Sequence, residues 1–247
     1  MIKRIFLFNY RAELGVEAGE NWYLEQHTQL AKKMPGIIKY VTYKGVSNTG
    51  RVYTPPPSFY RWTEIWWKDL DSVEKAMKSE AGKVTWKDNK WPTGGNKYGS
   101  FKSVTVADPI DLLEPSRNIE TDRWLNEMSG RPAVKYVLTF NYPADVPLEE
   151  GEKWYLNGLV PLGKKMPGII RYTTWKAIQL PGEKPPEFTR LTEVWFQDIE
   201  AWQRAMDSDE SKASAKFNRR PDGSWMLNTH LSLLERPAVI GYEINIL

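Results

Sequence analysis

The sequence contains no cysteine and only two histidines, His27 and His230. The absence of cysteine excludes disulfides, thiolate metal ligands and cysteine nucleophiles. With two histidines, a protein-only zinc or iron site would need several carboxylate ligands, and no motif of that kind is present. We therefore expect neither a metal site nor a bound cofactor.

Long apolar runs and blocks of basic residues are also absent. No run approaches the roughly 20 residues of a membrane span. The formal net charge of +3 comes from interspersed charges of both signs, which argues against a nucleic-acid partner. The apolar stretch at residues 1–8 is too short for a signal peptide. The expectation is a cytoplasmic protein with no membrane or nucleic-acid partner.

Aromatic residues, in contrast, are abundant, with twelve Trp and twelve Tyr in 247 residues. Large flat side chains suit a cavity for an aromatic or hydrophobic ligand, and they equally suit the core of a β-sheet. The composition leaves both interpretations open.

One nine-residue segment occurs twice. Residues 32–40 and 164–172 are identical at eight of nine positions, at an offset of 132. A repeat unit of more than one hundred residues has the size of a domain. The repeat predicts a first domain at 1–107, a linker at 108–132 and a second domain with a C-terminal tail strand at 133–247.

The second half is three residues shorter in the middle of the unit. Arg61-Trp-Thr-Glu-Ile-Trp66 therefore matches Arg190-Leu-Thr-Glu-Val-Trp195 at an offset of 129. Each position of the first half can thus be compared with a partner position in the second.

Hydrophobic periodicity and turn residues predict the same element order in both halves. In the first half, strands are predicted at 2–10, 37–46, 59–67 and 98–107, helices at 17–34 and 70–79, and a loop at 52–57, while 80–96 gives no clear prediction. A short helix at 119–128 is considered for the linker. In the second half, strands are predicted at 133–142, 169–178, 187–196 and 227–235, helices at 149–166 and 198–217, and a tail strand at 237–247.

The order β-α-β-β-α-β is ferredoxin-like. Two such sheets can bury their open faces against each other and close a barrel. The predicted fold class is α+β, with two tandem ferredoxin-like domains that form an intrachain dimeric α+β barrel. We expect a monomer with this internal pseudo-dimer, or a homodimer.

The pattern Trp22-Tyr23, His27, Met34-Pro35-Gly36 and Tyr40 resembles the EthD-like family of the dimeric α+β barrel superfamily. The resemblance implies a substrate site at the first helix and the following strand. In a methylmuconolactone methylisomerase of this superfamily, a His and a Tyr thirteen residues later contribute to the substrate site. His27 and Tyr40 match that spacing, whereas a second His and a Cys of that enzyme have no counterpart here.

His27 is the sharpest candidate, because its partner position in the second half is Leu159. An imidazole can act as acid or base without a cofactor. The alternative is a hydrogen-bonded core histidine. Tyr40 could hydrogen-bond a substrate carbonyl, but its match with Tyr172 equally indicates a structural role.

Glu64 lies between Trp62 and Trp66 on one face of a predicted strand, and Glu193 is its partner position. A buried carboxylate is costly unless it is paired. We interpret both acids as members of charge pairs within the barrel, and the alternative is a carboxylate that orients His27 or takes a proton.

These observations favour a cofactor-independent enzyme, a lyase or isomerase of a catabolic or secondary-metabolite pathway. His27 and Tyr40 would catalyse isomerisation, elimination or cyclisation of a hydrophobic, oxygenated, aromatic-derived small molecule. The residues expected to bind this substrate are Tyr23, Trp22, Trp62, Glu64 and Trp66.

Two alternatives stay open. The first is a non-catalytic binding or accessory protein. The second is a haem- or oxygen-dependent oxidoreductase, because some superfamily relatives bind haem through a histidine. Since only the first half has a histidine at this position, we expect its pocket to be the larger and more polar of the two.

Overall fold

The structure is a computed structural model that describes residues 1–47, 57–113, 133–229, 234 and 237–247. Eight strands close into one barrel. The strands are β1 (Ile2–Tyr10), β2 (Ile37–Gly45), β3 (Arg61–Trp67), β4 (Tyr98–Asp111), β5 (Val134–Phe140), β6 (Ile169–Ile178), β7 (Arg190–Phe196) and β8 (Ala238–Asn245).

The order around the barrel is β1-β3-β2-β8-β5-β7-β6-β4. The first half supplies β4-β1-β3-β2 and the second half supplies β8-β5-β7-β6, all antiparallel. Two joins close the barrel, β2 with β8 and β4 with β6. A single chain therefore closes the α+β barrel, with the same strand order in each half.

The helices cover the outside of this sheet. Helix α1 has three consecutive segments, α-helical Val16–Asn21, π-helical Trp22–His27 and α-helical Thr28–Ala31. The others of the first half are α2 (Leu70–Lys78) and α3 (Glu80–Asp88). In the second half α4 again has three segments, Leu148–Trp154, π-helical Tyr155–Leu159 and Val160–Gly163, followed by α5 (Ile199–Asp207) and α6 (Asp209–Phe217). No helix within the described ranges is both long and apolar enough to cross a membrane.

The repeated segment, residues 32–40 and 164–172, contains the end of a helix in each half. Gly36 and Gly168 have φ angles of 74° and 76°, a left-handed conformation that glycine adopts without steric cost. Asp69 and Asp198 then cap α2 and α5, each accepting a backbone N–H bond at 2.8 and 2.7 Å respectively. The segment is repeated because each half needs the same turn from a helix into a strand.

A second repeated feature packs α1 onto the sheet. A Cβ atom on Gly19 would lie 2.3 Å from the ring of Tyr10, so only glycine fits there. Glu20 accepts hydrogen bonds from the Tyr10 hydroxyl at 2.5 Å and from two nitrogens of Arg61 at 2.8 and 2.5 Å. Gly151, Tyr142, Glu152 and Arg190 repeat the arrangement in the second half.

Four buried charges lie inside the barrel. Lys3 contacts Glu193 at 2.6 Å, and Lys135 contacts Glu64 at 2.7 Å and Glu193 at 3.0 Å. The indole of Trp62 donates to Glu64 at 2.6 Å. The interpretation of Glu64 and Glu193 as members of internal charge pairs is confirmed.

The predicted last strand over 227–235 falls largely on residues outside the described ranges. Among its described residues Asn228 forms only an isolated bridge, with Asn141. The tail instead supplies β8, which is rich in β-branched residues, begins directly after Pro237 and pairs with both β2 and β5.

The predicted domain boundaries stay a prediction, although β4 extends to Asp111, beyond the expected end at residue 107. The unassigned stretch 80–96 contains α3 and a turn closed by a bridge between Lys90 and Asn96. The predicted loop at 52–57 falls largely outside the described residues. The predicted helix at 119–128 and His230 lie wholly outside them.

Candidate active site

A cavity of about 310 Å³ lies between the outer face of the first-half sheet and helices α1 and α3. Its walls are mostly aromatic and aliphatic. The polar or ionisable side chains that reach it include Arg4, Tyr23, His27, Tyr40, Thr63, Asn89, Tyr98 and Glu183.

His27 is held at this cavity from both sides of its ring. Its Nδ1 atom lies 3.0 Å from Oδ2 of Asp88, and its Nε2 atom lies 3.3 Å from the hydroxyl of Tyr98. Asp88 also accepts bonds from the Trp22 indole at 2.9 Å and from Lys97 at 3.1 Å. We call Asp88, His27 and Tyr98 the His27 relay.

The carboxylate of this relay is ionised at neutral pH. Partial burial opposes ionisation, but hydrogen bonds from His27 and Lys97 lower the pKa of Asp88 to about 2. An ionised carboxylate accepts the N–H of Nδ1, which leaves Nε2 of His27 as the basic atom. Burial raises the pKa of Tyr98 well above its ordinary value, so its hydroxyl stays protonated beside Nε2.

The π-helical segment of α1 carries three of these aromatic groups. The Tyr23 ring stacks on the imidazole with centroids 5.6 Å apart, and the Trp22 ring lies 5.1 Å away. Single π-helical turns often occur at functional sites. Because α4 has the same feature, however, the π-helix alone does not identify the site.

A chain of hydroxyls continues the polar surface. The Tyr23 hydroxyl lies 2.6 Å from that of Thr63 and 3.5 Å from that of Tyr40. Burial raises the pKa of Tyr40 well above its ordinary value, so this phenol remains a neutral hydrogen-bond donor. Tyr155 and Thr192 repeat the first of these contacts at 2.8 Å in the second half. The hydroxyl chain is thus shared by both halves.

The His27 relay is not shared. The positions that match His27, Asp88, Lys97 and Tyr98 in the second half are Leu159, Phe217, Met226 and Leu227. Where Trp22 donates to Asp88, Trp154 instead stacks on Phe217 with centroids 5.3 Å apart and planes 8° apart. One half carries an ionisable network, and the other carries an apolar cluster on the same scaffold.

The second half has its own cavity, of about 720 Å³. The expectation that the first cavity would be the larger is therefore wrong. The reason is side-chain size, since Trp86 and Tyr98 at the first cavity are matched by Ala215 and Leu227 at the second. The described residues that line the second cavity include no Asp, Glu, Lys, Arg or His.

The structure brings some of the predicted site residues together. His27, Tyr23 and Tyr40 line the first cavity, and Trp22 supports His27 through Asp88. Trp62, Glu64 and Trp66 do not reach this cavity, because strand residues alternate between faces and these three point into the barrel. Asp88, and not Glu64, is the carboxylate that orients His27.

Sequence reasoning missed Asp88, Lys97 and Tyr98. A comparison at the offset of 129 pairs each of them with an apolar residue, and this contrast was the available signal.

Neither a metal nor a haem fits the described residues of this site. The described ranges contain no group of three or more side chains suited to hold a metal ion. An axial ligand to haem needs a free imidazole nitrogen that faces the open plane of the macrocycle. The rings of Trp22, Tyr23 and Tyr98 lie with centroids 5.1, 5.6 and 6.2 Å from the imidazole, which leaves no open plane of macrocycle size beside it.

Comparison with known proteins places this geometry in context. A search of curated protein sequences gives no match. An anthrone oxidase-like protein has a TM-score of 0.55 at 14% identity, with 99% of this chain and 93% of that chain covered. A chlorite dismutase candidate has a TM-score of 0.54 at 12% identity, with 99% and 95% covered. A monooxygenase candidate from Fusobacterium nucleatum has a TM-score of 0.53 at 11% identity, with 99% and 94% covered.

At such identities the likeness shows the fold alone, the dimeric α+β barrel. The sequence profile of the EthD domain family matches residues 11–90, the part that contains α1, His27 and Asp88. The resemblance seen in the sequence is confirmed over this range, where the chain is similar to the EthD domain family, and the fold of the described residues is a dimeric α+β barrel.

Proposed function

We propose that the cavity beside His27 binds a small, flat, largely apolar and oxygenated molecule, and that His27 exchanges a proton with it without a cofactor. The observation that carries this proposal is the His27 relay, which opens on the cavity in the first half and is replaced by apolar residues in the second. A network kept in only one of two matched scaffolds is not needed for folding, and function is the better explanation.

In this mechanism Asp88 fixes the tautomer of His27, and Nε2 removes a proton from a carbon next to a carbonyl group. The ligand displaces the contact between Nε2 and the Tyr98 hydroxyl. The proton returns from the imidazolium to a second atom of the substrate, which gives isomerisation, elimination or cyclisation.

Negative charge then develops on the substrate oxygen, and neutral donors at the cavity stabilise it. The Tyr40 phenol is one such donor.

The cavity volume supports a substrate of two or three fused rings. A volume of about 310 Å³ lies at the small end of the usual range for ligand pockets. The likeness to an anthrone oxidase-like protein suggests anthrone as a probe, since its methylene protons are acidified by the conjugated ketone and its conjugate base carries the charge on oxygen.

The test measures proton transfer directly. Anthrone is incubated in deuterated buffer without oxygen, and the loss of its methylene signal is followed by proton NMR. We expect the protein to accelerate exchange at least about a hundredfold over imidazole at equal concentration. Exchange no faster than with free imidazole, together with measurable anthrone binding, would favour a binding or accessory protein instead.

A further inference from the structure

Arg4 is a buried cation at the end of the cavity away from His27. Its side chain is only 6% exposed, and it lines the same cavity. Its Nη2 atom donates to Glu183 at 2.6 Å. Its Nε atom is buried and has no hydrogen-bond partner among the described residues.

Two other arginines are buried among the described residues, and each makes a contact that Arg4 lacks. Arg61 donates hydrogen bonds to Glu20 through both Nε and Nη2, at 2.8 and 2.5 Å. Arg190 donates two hydrogen bonds to Glu152 through the same pair of nitrogens, at 2.8 and 2.6 Å. A two-point contact is the geometry in which a guanidinium best binds a carboxylate. Arg4 makes only half of it, so a carboxylate that replaced Glu183 could complete the two-point contact through Nε and Nη2.

Glu183 is a displaceable partner. It comes from the turn between β6 and β7 in the other half of the chain, directly after Gly182, whose φ angle is 80°. Its side chain is 38% exposed, whereas that of Arg4 is nearly inaccessible. A half-exposed carboxylate on a surface turn can move into water at little cost, but the buried guanidinium cannot remain unpaired.

This cation is confined to the half that holds His27. The position that matches Arg4 in the second half is Tyr136, which is uncharged and lines the second cavity. The charged anchor and the ionisable relay therefore occur together in one half.

The distance between Arg4 and the His27 relay suggests the length of the ligand. Arg4 and Phe8 face the same side of β1, four residues apart, which corresponds to about 13 Å along a strand. The Phe8 ring contacts Tyr98 at a centroid distance of 4.6 Å, and Tyr98 contacts His27. The cavity thus follows β1 from the His27 relay at one end to the cation at the other.

We propose that Arg4 binds a carboxylate of the substrate, and that Glu183 occupies this anchor in the ligand-free protein. The substrate is then an aromatic acid of two or more rings, with its acid group at Arg4 and its reactive carbon at His27. This inference deepens the proposed function and depends on it only for the reacting end of the molecule.

The test compares two probes of the same shape, 2-naphthoate and the neutral 2-naphthamide, by isothermal titration calorimetry. Glu183→Gln removes the competing charge, so we expect it to strengthen 2-naphthoate binding about tenfold and to leave 2-naphthamide binding unchanged. Glu149→Gln, an equal charge change at an exposed position of α4, is the control and should change neither.

Arg4→Met should abolish the preference for the acid. If that variant does not fold, Arg4→Lys provides the same test, because it keeps the charge but loses the two-point geometry, and should weaken 2-naphthoate binding about tenfold.

Three results would overturn the proposal. They are an unchanged 2-naphthoate affinity in Glu183→Gln, a preference for the acid that survives Arg4→Met or a full 2-naphthoate affinity in Arg4→Lys, and no binding of either probe at millimolar concentration. A purely structural bridge would instead lower the thermal stability of Glu183→Gln without changing probe affinity. Proton exchange on neutral anthrone is measured on the parent protein and needs no carboxylate anchor, so failure of this proposal can be separated from failure of the proposed function.

Discussion

The Nδ1 atom of His27 lies 3.0 Å from the carboxylate of Asp88, across the packing between α1 and the end of α3. The matching positions in the second half are Leu159 and Phe217, and there Phe217 stacks on Trp154. The scaffold accepts either pair, so the ionisable pair reflects what the first cavity does rather than what the fold requires.

Asp88→Asn should destabilise the protein in a pH-dependent way. The pKa of Asp88 is about 2 in the folded state, below the ordinary value near 4. The carboxylate therefore stabilises the fold above about pH 4, and this contribution is lost as the pH falls toward 2.

Urea unfolding should show a cost of about 1–3 kcal/mol for Asp88→Asn at pH 7, from the lost charged hydrogen bonds. The difference from the parent protein should shrink as the pH is lowered from 5 to 2.5. A difference that stays constant over that range would mean that Asp88 is not held as an ionised partner.

Tyr40→Phe should slow proton exchange on anthrone about tenfold and leave the thermal unfolding temperature nearly unchanged, because one hydrogen bond is lost and the ring is kept. Since burial raises the pKa of Tyr40 well above its ordinary value, its hydroxyl stays a donor in alkaline buffer. The ratio of parent to variant rates should therefore be the same at pH 7 and pH 10. A ratio that falls toward one at pH 10 would indicate that the phenol ionises.

Glu64→Gln should affect stability and not the His27 cavity. Glu64 lies inside the barrel, where Lys135 contacts it at 2.7 Å. Removing one partner of a buried ion pair costs about 3–5 kcal/mol. Chemical denaturation should show this loss, while anthrone exchange at a temperature where the variant is folded should stay within about twofold of the parent rate. A large loss of proton exchange in the folded variant would mean that Glu64 takes part in the function of the His27 cavity.

Much of the scaffold could be predicted because its signals are local. Gly36 must adopt a positive φ angle at the end of α1, Asp69 caps α2, and the Ile- and Phe-rich run at the start of the chain forms β1. These features occur twice, which made the comparison between halves reliable. The repeat alone does not place the eighth strand, because β8 (Ala238–Asn245) falls in the predicted tail strand and not at 227–235.

The site was harder to predict, because its parts come from distant segments. His27 belongs to a recognisable pattern, but Asp88 and Tyr98 join it only through the packing of α3 and β4. Glu64, in contrast, was wrongly included in the site, because its proximity to Trp62 and Trp66 in the sequence suggested a common site. Strand alternation turns all three into the barrel, away from His27.

The central claim is that His27 moves the proton, and one rate comparison tests it most directly. His27→Leu installs the residue that the second half carries at the matching position, so the fold should persist, with stability changed by no more than about 1–2 kcal/mol. Its rate of deuterium exchange into anthrone, measured beside the parent protein under identical conditions, should fall by about 10²–10⁴-fold. A folded His27→Leu protein that exchanges anthrone protons at the parent rate would contradict the account.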